Sequence, residues 1–297
     1  MKINQISLLV LFLFACCTLK SQKETATIQI LPSDEIPMQY DKGNHYMPTL
    51  DATVNDSLHL KVFFDTGQSS RWPGASDSLW FIASDSLREI LGDSASVQIG
   101  KYSTEMRIDF VRKPVSIFNL TGKNTIVVGW EFFDHKIIDF SFDKQRLRVY
   151  ESLPDVTGYS KIKITLSSTM LCIPLKVILQ GKTMEDTVYF DTGNNSYASF
   201  STELIEKYGI DTENAYRGQA MTNVSYYSGY SLSVDTIKIG DLCVANPELR
   251  VAVRPKTNAR AAPGLLGVKT MENFSVILDL INYDLYLKKL DQSNSDN

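Results

Sequence analysis

Apolar positions along the chain fall in short runs and alternations separated by Gly, Asn, Asp and Ser, with much β-branched and aromatic content and no long helical stripes. The pattern predicts a mainly β chain. Two stretches stand apart. "SDSLREIL" (84–91) and "STELIEKY" (201–208) each open on Ser and carry an acidic residue in the first turn, which predicts short helices.

The pattern repeats. "VFFDTGQSS" at 62–70 returns as "VYFDTGNNS" at 188–196, and each copy is followed by one of the two predicted helices. Next in each half comes a β-like run ending in Ile-Gly, "VQIGKYS" (97–103) and "IKIGDLC" (237–243), then two apolar residues and glycine, Val127-Val128-Gly129 and Leu265-Leu266-Gly267. Both halves close on a short helix-like piece and a hairpin, "EFFDHKIIDFSFDKQRLRVY" and "MENFSVILDLINYDLYL". At ~5–7% usage per residue type, a given tripeptide is expected about 0.05 times in a chain of this length. Two copies in the same extended context indicate duplication. "ESLPDVTGYSK" (151–161) reads as the linker, dividing an N-terminal lobe, 23–152, from a C-terminal lobe, 153–290. Asp139 and Asp279 also recur late in each half, at the hairpin, where a structural role is expected.

The repeat places one carboxylate in each half directly after two aromatic residues: Asp65 after Phe63 and Phe64, and Asp191 after Tyr189 and Phe190. Burying a carboxylate is costly unless it is paired or hydrogen-bonded. Pseudo-two-fold symmetry brings equivalent points together near its axis, so Asp65 and Asp191 are expected to face each other. Two carboxyls in contact share a proton, one acting as base and the other as acid. Such a pair can activate a water against a peptide carbonyl without metal, cofactor or covalent intermediate. Gly67 and Gly193 allow tight turns and close backbone approach, and the Thr66 and Thr192 hydroxyls can bridge the lobes.

With these motifs the chain resembles the aspartic peptidases over residues 50–290, in a single-chain bilobal form near the retropepsin-like and pepsin-like groups. The resemblance implies an acid-protease fold with Asp65 and Asp191 as the catalytic pair, Thr66 and Thr192 as the interlobe hydrogen-bonding pair, and Gly129 and Gly267 in the loops crossing behind them. There are two departures. After the motif glycine stand Gln68 and Asn194, where pepsin-like members have Ser or Thr and retroviral ones Ala. The second is a difference in spacing: Asp65 to Gly100 is 35 residues and Asp191 to Gly240 is 49, so the second half has 14 more, in "RGQAMTNVSYYSGYSLSVD" (217–235). That stretch reads as a hairpin turning at Ser228-Gly229. By the resemblance it is a flap over substrate, with Tyr226, Tyr227 or Tyr230 touching the peptide. "GDSAS" (92–96) leaves the first lobe nearly without a flap.

Composition adds location. A net charge of −4 with no dense Lys/Arg patch gives no reason to expect nucleic-acid binding. "MKINQISLLVLFLFACC" is an export signal, and "LFAC" (13–16) resembles the lipobox of bacterial lipoproteins, which makes Cys16 the expected lipidation site; an ordinary secretory signal cleaved near Ser21 is the alternative. Residues 1–22 are then signal and anchor, and the chain is expected in a Gram-negative-type envelope, in the periplasm or at the outer membrane, as a monomer. Cys172 and Cys243 are left as a disulfide or as two free thiols. His45, His59 and His135 have no ligand spacing. Trp72 and Trp80 line a subsite or seal a sheet edge, and the tail 291–297 lacks apolar residues and is expected to be disordered.

Three functions compete: an exported, lipid-anchored aspartic endopeptidase acting on a peptide or protein substrate; a catalytically inactive peptide-binding lipoprotein of the same fold; and a structural envelope lipoprotein. Two intact Asp-Thr-Gly motifs favour the first.

Overall fold

The computed structural model describes residues 30–40, 47–68, 78–82, 91–110, 125–221, 226–253 and 263–290. The signal segment with Cys16, the predicted helix 84–91 apart from Leu91, Trp72, His45 and the tail 291–297 lie outside the described residues.

The first half supplies β1 (Asp34–Gln39), β2 (Thr49–Val54), β3 (Leu58–Phe64), β4 (Ser78–Ile82), β5 (Ser94–Ile99), β6 (Tyr102–Phe110), β7 (Thr125–Val128), β8 (Ile137–Ser141) and β9 (Arg146–Tyr150). The second supplies β10 (Ser160–Lys163), β11 (Thr165–Ser167), β12 (Met170–Leu179), β13 (Lys182–Phe190), β14 (Ala198–Ser201), β15 (Tyr216–Met221), β16 (Tyr226–Ser233), β17 (Thr236–Ile239), β18 (Leu242–Ala245), β19 (Glu248–Ala252), β20 (Leu265–Leu266), β21 (Phe274–Asp279) and β22 (Asp284–Lys289). Among the described residues, the α-helices α1 (Thr202–Lys207) and α2 (Val268–Met271) and a 3-10 turn at Trp130–Phe133 accompany them. The expectation of a mainly β chain holds.

Both lobes use the same connection. β3 runs parallel to β7, with Phe64 beside Val128, and β4 pairs antiparallel on the far side of β7. In the second lobe β13 runs parallel to β20, with Phe190 beside Leu266, and β14 pairs antiparallel to β20. β6 then flanks β4, and β19 flanks β14, both in parallel. Towards the end of β13 burial alternates: Val188 and Phe190 turn into the core while Tyr189 between them stays half-open. Helix α1 starts where the sequence signals it, the Ser201 hydroxyl accepting from the Leu204 amide at 3.4 Å.

Between the lobes six strands, in the order β10-β22-β21-β8-β9-β1, form one continuous layer. Its register locates the pseudo-two-fold axis. Gly129 and Gly267 are 138 positions apart (267 − 129), the four-residue hairpin loops after Ser141 and Asp279 share the same offset, and Asp139 lies opposite Ile277 (277 − 139 = 138). The axis passes between Asp139 and Ile277. This corrects the sequence pairing of Asp139 with Asp279: the counterpart of Asp139 is Ile277, and that of Asp279 is Ser141. Asp279 does hold its hairpin, accepting from the Ile281 and Asn282 amides at 2.9 Å each. The linker crosses the outer side of this layer, packing Leu153, Val156 and Tyr159 over Ile137, Tyr150, Ile277 and Tyr286.

β15 and β16 form the hairpin expected in the second lobe, but its turn is displaced. Gly218 faces Gly229 and Met221 faces Tyr226, so Ser228-Gly229 lies inside β16 and residues 222–225, outside the described residues, make the connection. Among the described residues, Leu91–Asp93 lead directly into β5 with no first-lobe counterpart of this hairpin.

Candidate active site

Asp65 and Asp191 each stand one residue beyond the end of a strand, at the point where the parallel neighbour is still in register. The Asp65 amide donates to the Val128 carbonyl and the Asp191 amide to the Leu266 carbonyl, each at 3.0 Å. Each carboxyl then accepts from the amide two residues on, Gly67 at 2.8 Å and Gly193 at 2.9 Å. The local fold therefore turns both side chains off the sheets and holds them by their own loops.

The two loops interlock across the lobes. The Thr66 hydroxyl donates to the Phe190 carbonyl at 2.7 Å and accepts from the Thr192 amide at 3.0 Å. The Thr192 hydroxyl donates to the Phe64 carbonyl at 2.6 Å and accepts from the Thr66 amide at 2.9 Å. Both threonines are fully buried, so these bonds are shielded from water and leave no backbone group there unpaired. Gly67 and Gly193 are glycine for a reason of space: a Cβ on Gly67 would overlap the Asp191 carboxyl, and one on Gly193 would overlap the Asp65 carboxyl. Behind the loops, a Cβ on Gly129 would strike the Gln68 carbonyl and one on Gly267 the Ser196 and Asn194 carbonyls. The structure thus brings together Asp65, Asp191, Thr66, Thr192, Gly67, Gly193, Gly129 and Gly267.

The two carboxyls are hydrogen-bonded to each other. Burial raises the pKa of Asp65, while the hydrogen bonds from Asp191 and from the Gly67, Gly193 and Gln68 amides oppose that rise. Burial raises Asp191 well above the ordinary carboxylate value, and the Asp65 charge and hydrogen bond push it further in the same direction. Two carboxyls in this arrangement can share one proton.

Asn194 turns away from this centre. Its side-chain oxygen accepts from the Ser196 amide at 3.1 Å and the Ser196 hydroxyl at 2.8 Å, and its nitrogen donates to the Ser199 hydroxyl at 3.3 Å. It braces the loop and gives the Asp191 carboxyl only a backbone amide. Of the tyrosines expected to touch substrate, Tyr230 is buried in the second-lobe core and packs beside Arg217, whose guanidinium lies 6.0 Å from its ring. That placement corrects its assignment to the flap tip, since in β16 the face of Tyr230 is set by the core. The backbones of Tyr226 and Tyr227 lie in β16 next to the turn, opposite Met221 and Ala220; their side chains lie outside the described residues.

Several further residues escaped sequence reasoning. The Trp130 indole, directly after Gly129, donates across the lobes to the Thr169 carbonyl at 3.0 Å, and the Tyr40 hydroxyl donates to Glu272 at 2.8 Å. Position alone marked Trp130; Tyr40 carried no signal. On β13, Thr187 and Tyr189 border a groove of about 690 Å³ with Ser201, Leu204, Lys207 and Pro263. Arg250, between buried Leu249 and Val251, donates to the Asn195 side chain at 2.6 Å. Cys172 is a buried free thiol and Cys243 an exposed one, so the two do not form a disulfide. The His59 imidazole faces the Thr53 hydroxyl at 3.2 Å, and His135 is exposed. Among the described residues no cluster of His, Cys, Asp and Glu has metal-site geometry, and no helix is long and apolar enough to cross a membrane.

No protein-family model matches the chain, and no curated protein matches it. Among solved structures it is similar to the crystal structure of an aspartic proteinase from Irpex lacteus, with a TM-score of 0.52 and 13% identity over 88% of this chain and 98% of that chain. At that identity the likeness is one of fold. The chain has the mainly β, two-sheet fold of a pepsin-like aspartic proteinase.

Proposed function

We propose that the chain is an exported aspartic endopeptidase, anchored through a lipidated Cys16 on the envelope of a Gram-negative-type bacterium, that hydrolyses peptide bonds between its lobes. One observation carries the reading: two chain-distant carboxyls form a hydrogen-bonded pair on interlocked loops, in a fold shared with an aspartic proteinase. One carboxyl of the coupled pair serves as the base and the other as the acid, with Asp65 ionised and Asp191 protonated at the start of the cycle. Asp65 takes a proton from a water as the water oxygen bonds to the peptide carbonyl carbon, and Asp191 gives its proton to the carbonyl oxygen, which leaves a neutral gem-diol. Asp65 then passes its proton to the amide nitrogen as the carbon–nitrogen bond breaks. One diol hydroxyl returns a proton to Asp191, so the pair ends as it began. No cofactor enters the scheme.

The test incubates the chain from about residue 24 with a peptide library from acidic to neutral pH, beside Asp65→Asn and Asp191→Asn. Cleavage lost in both variants supports the pair, and cleavage surviving in either defeats it. A second reading, a peptide-binding lipoprotein without turnover, is favoured by the turn of Asn194 away from the Asp191 carboxyl. Retention of peptide with no cleavage at any pH would select it.

A further inference from the structure

One lane of side chains crosses the second lobe from the hairpin to the candidate active site. In register it runs Tyr216, Ser231, Arg250, Ser199, Leu265, Tyr189. Every member is at least partly open, whereas the flanking positions Leu232, Leu249, Val251, Phe200, Leu266 and Phe190 are buried. Tyr189, the last member, stands two residues before Asp191, so the lane ends beside the loop that carries that carboxyl. Arg250 is its only charged member.

A second observation places the guanidinium. Its Nη1 donates to the Asn195 Oδ1 at 2.6 Å, and Asn195 is two residues past Gly193, whose backbone abuts the Asp65 carboxyl. At 3.3–3.6 Å per residue, two residues of chain span at most about 7 Å, which bounds the distance from Gly193 to Asn195. An extended peptide advances ~3.3 Å per residue, so a substrate side chain within reach of Arg250 belongs to the second residue from the bond at the pair. The guanidinium is held at one edge by Asn195, and its ion-pair partner Glu248 stands at 3.8 Å from Nε. That is a long contact between two partly open side chains, 36% and 53% exposed, and contacts of this kind hold weakly. A carboxylate arriving from the cleft would meet a planar donor fork already oriented by Asn195.

The geometry points to Arg250 as a specificity-determining residue that makes the cleft prefer peptides with Asp or Glu at the second residue from the scissile bond, on the flank lying against the second lobe. This rests on the peptidase reading for the bond that is cut, and on Arg250 alone for the preference.

The experiment uses matched peptides that carry Glu, Gln or Lys at the second position on either side of the cut. Cleavage is followed as kcat/KM, and binding of the same sequences with a reduced, uncleavable central amide is followed by fluorescence anisotropy. The native chain should favour Glu over Gln on one flank by on the order of ten-fold, as a charge-assisted fork allows. Arg250→Glu should reverse the order to favour Lys, and Glu248→Gln, which leaves the Asn195 contact in place, should increase the preference for Glu. Thermal melting of each variant reports folding. Cleavage with no acidic preference, or a preference unchanged in both variants, overturns the inference and leaves the peptidase reading intact. Selective binding that reverses in Arg250→Glu without any cleavage upholds Arg250 and removes the peptidase. Neither cleavage nor selective binding removes both. An arginine that only braces the Asn195 loop would alter stability without exchanging Glu for Lys as the favoured peptide.

Discussion

Thr66 and Thr192 each donate a hydroxyl to the carbonyl two residues before the other, and each accepts the other's backbone amide. Four hydrogen bonds thereby join the lobes through two buried side chains. Thr192→Val keeps the shape but leaves the Phe64 carbonyl and the Thr66 amide without these partners. At 1–3 kcal/mol per buried unsatisfied group, this should cost about 3 kcal/mol. Thr192→Ser, which keeps the hydroxyl, should lose far less. Equilibrium urea unfolding of the two variants makes the comparison.

Gly67→Ala tests the approach of the carboxyls. The added methyl would occupy the space of the Asp191 carboxyl, so either the side chain or the loop must move. Peptide cleavage should fall by at least ~100-fold, because small displacements of reacting groups carry penalties of that size. Gly92→Ala offers a control: there a Cβ meets nothing within 4 Å, although its φ of +67° adds backbone strain. Stability should decline in the control and turnover persist.

The pair should also set a pH dependence of stability. Asp191 holds its proton more tightly folded than unfolded, with a folded pKa well above the ordinary 3.8. Below the ordinary value the carboxyl is protonated in both states and carries no penalty. As pH rises from there to the folded pKa, the unfolded chain gives up its proton first, and stability is lost across that window. Asp191→Asn removes the ionisation. Its melting temperature should exceed that of the native chain at neutral pH and converge with it in acid, as calorimetry across pH would show.

Arg148 stands over a carboxyl near the pseudo-two-fold axis. Its Nη1 contacts Asp139 at 3.0 Å and its Nε contacts Glu35 at 3.1 Å. Burial raises the Asp139 pKa, and the Arg148 charge opposes it. Arg148→Ala would leave Asp139 buried without its cation, a loss of about 3 kcal/mol. Asp139→Asn in the same background should recover part of it. A double-mutant cycle by chemical denaturation measures both.

Much of this arrangement could be read from residues alone, because it depends on local signals repeated twice. Asp-Thr-Gly after two aromatic residues marks a strand end, and Val-Val-Gly and Leu-Leu-Gly mark the strands that run beside it. The turn of the hairpin was misplaced because Ser228-Gly229 is a good turn dipeptide, yet the register set by β19, with Gly229 beside Ala252, keeps it within the strand. Tyr230 gave the same kind of error. Tyrosine suits either a surface or a core, and only the pleat, which puts it on the face opposite Ser231, decides. Arg250, Trp130 and Tyr40 owe their positions to contacts across strands or lobes, about which neighbouring residues carry no information.

The position of the axis between Asp139 and Ile277 has a consequence for the whole chain. If the lobes were two identical, separate molecules, whatever residue stood at that point would meet its own copy, and an acid would confront an acid in a closely packed layer. Joining the halves through one linker removes that restriction. A carboxyl with its arginine can lie on one side of the axis and a hydrocarbon on the other, so the two halves can differ where a symmetric assembly could not.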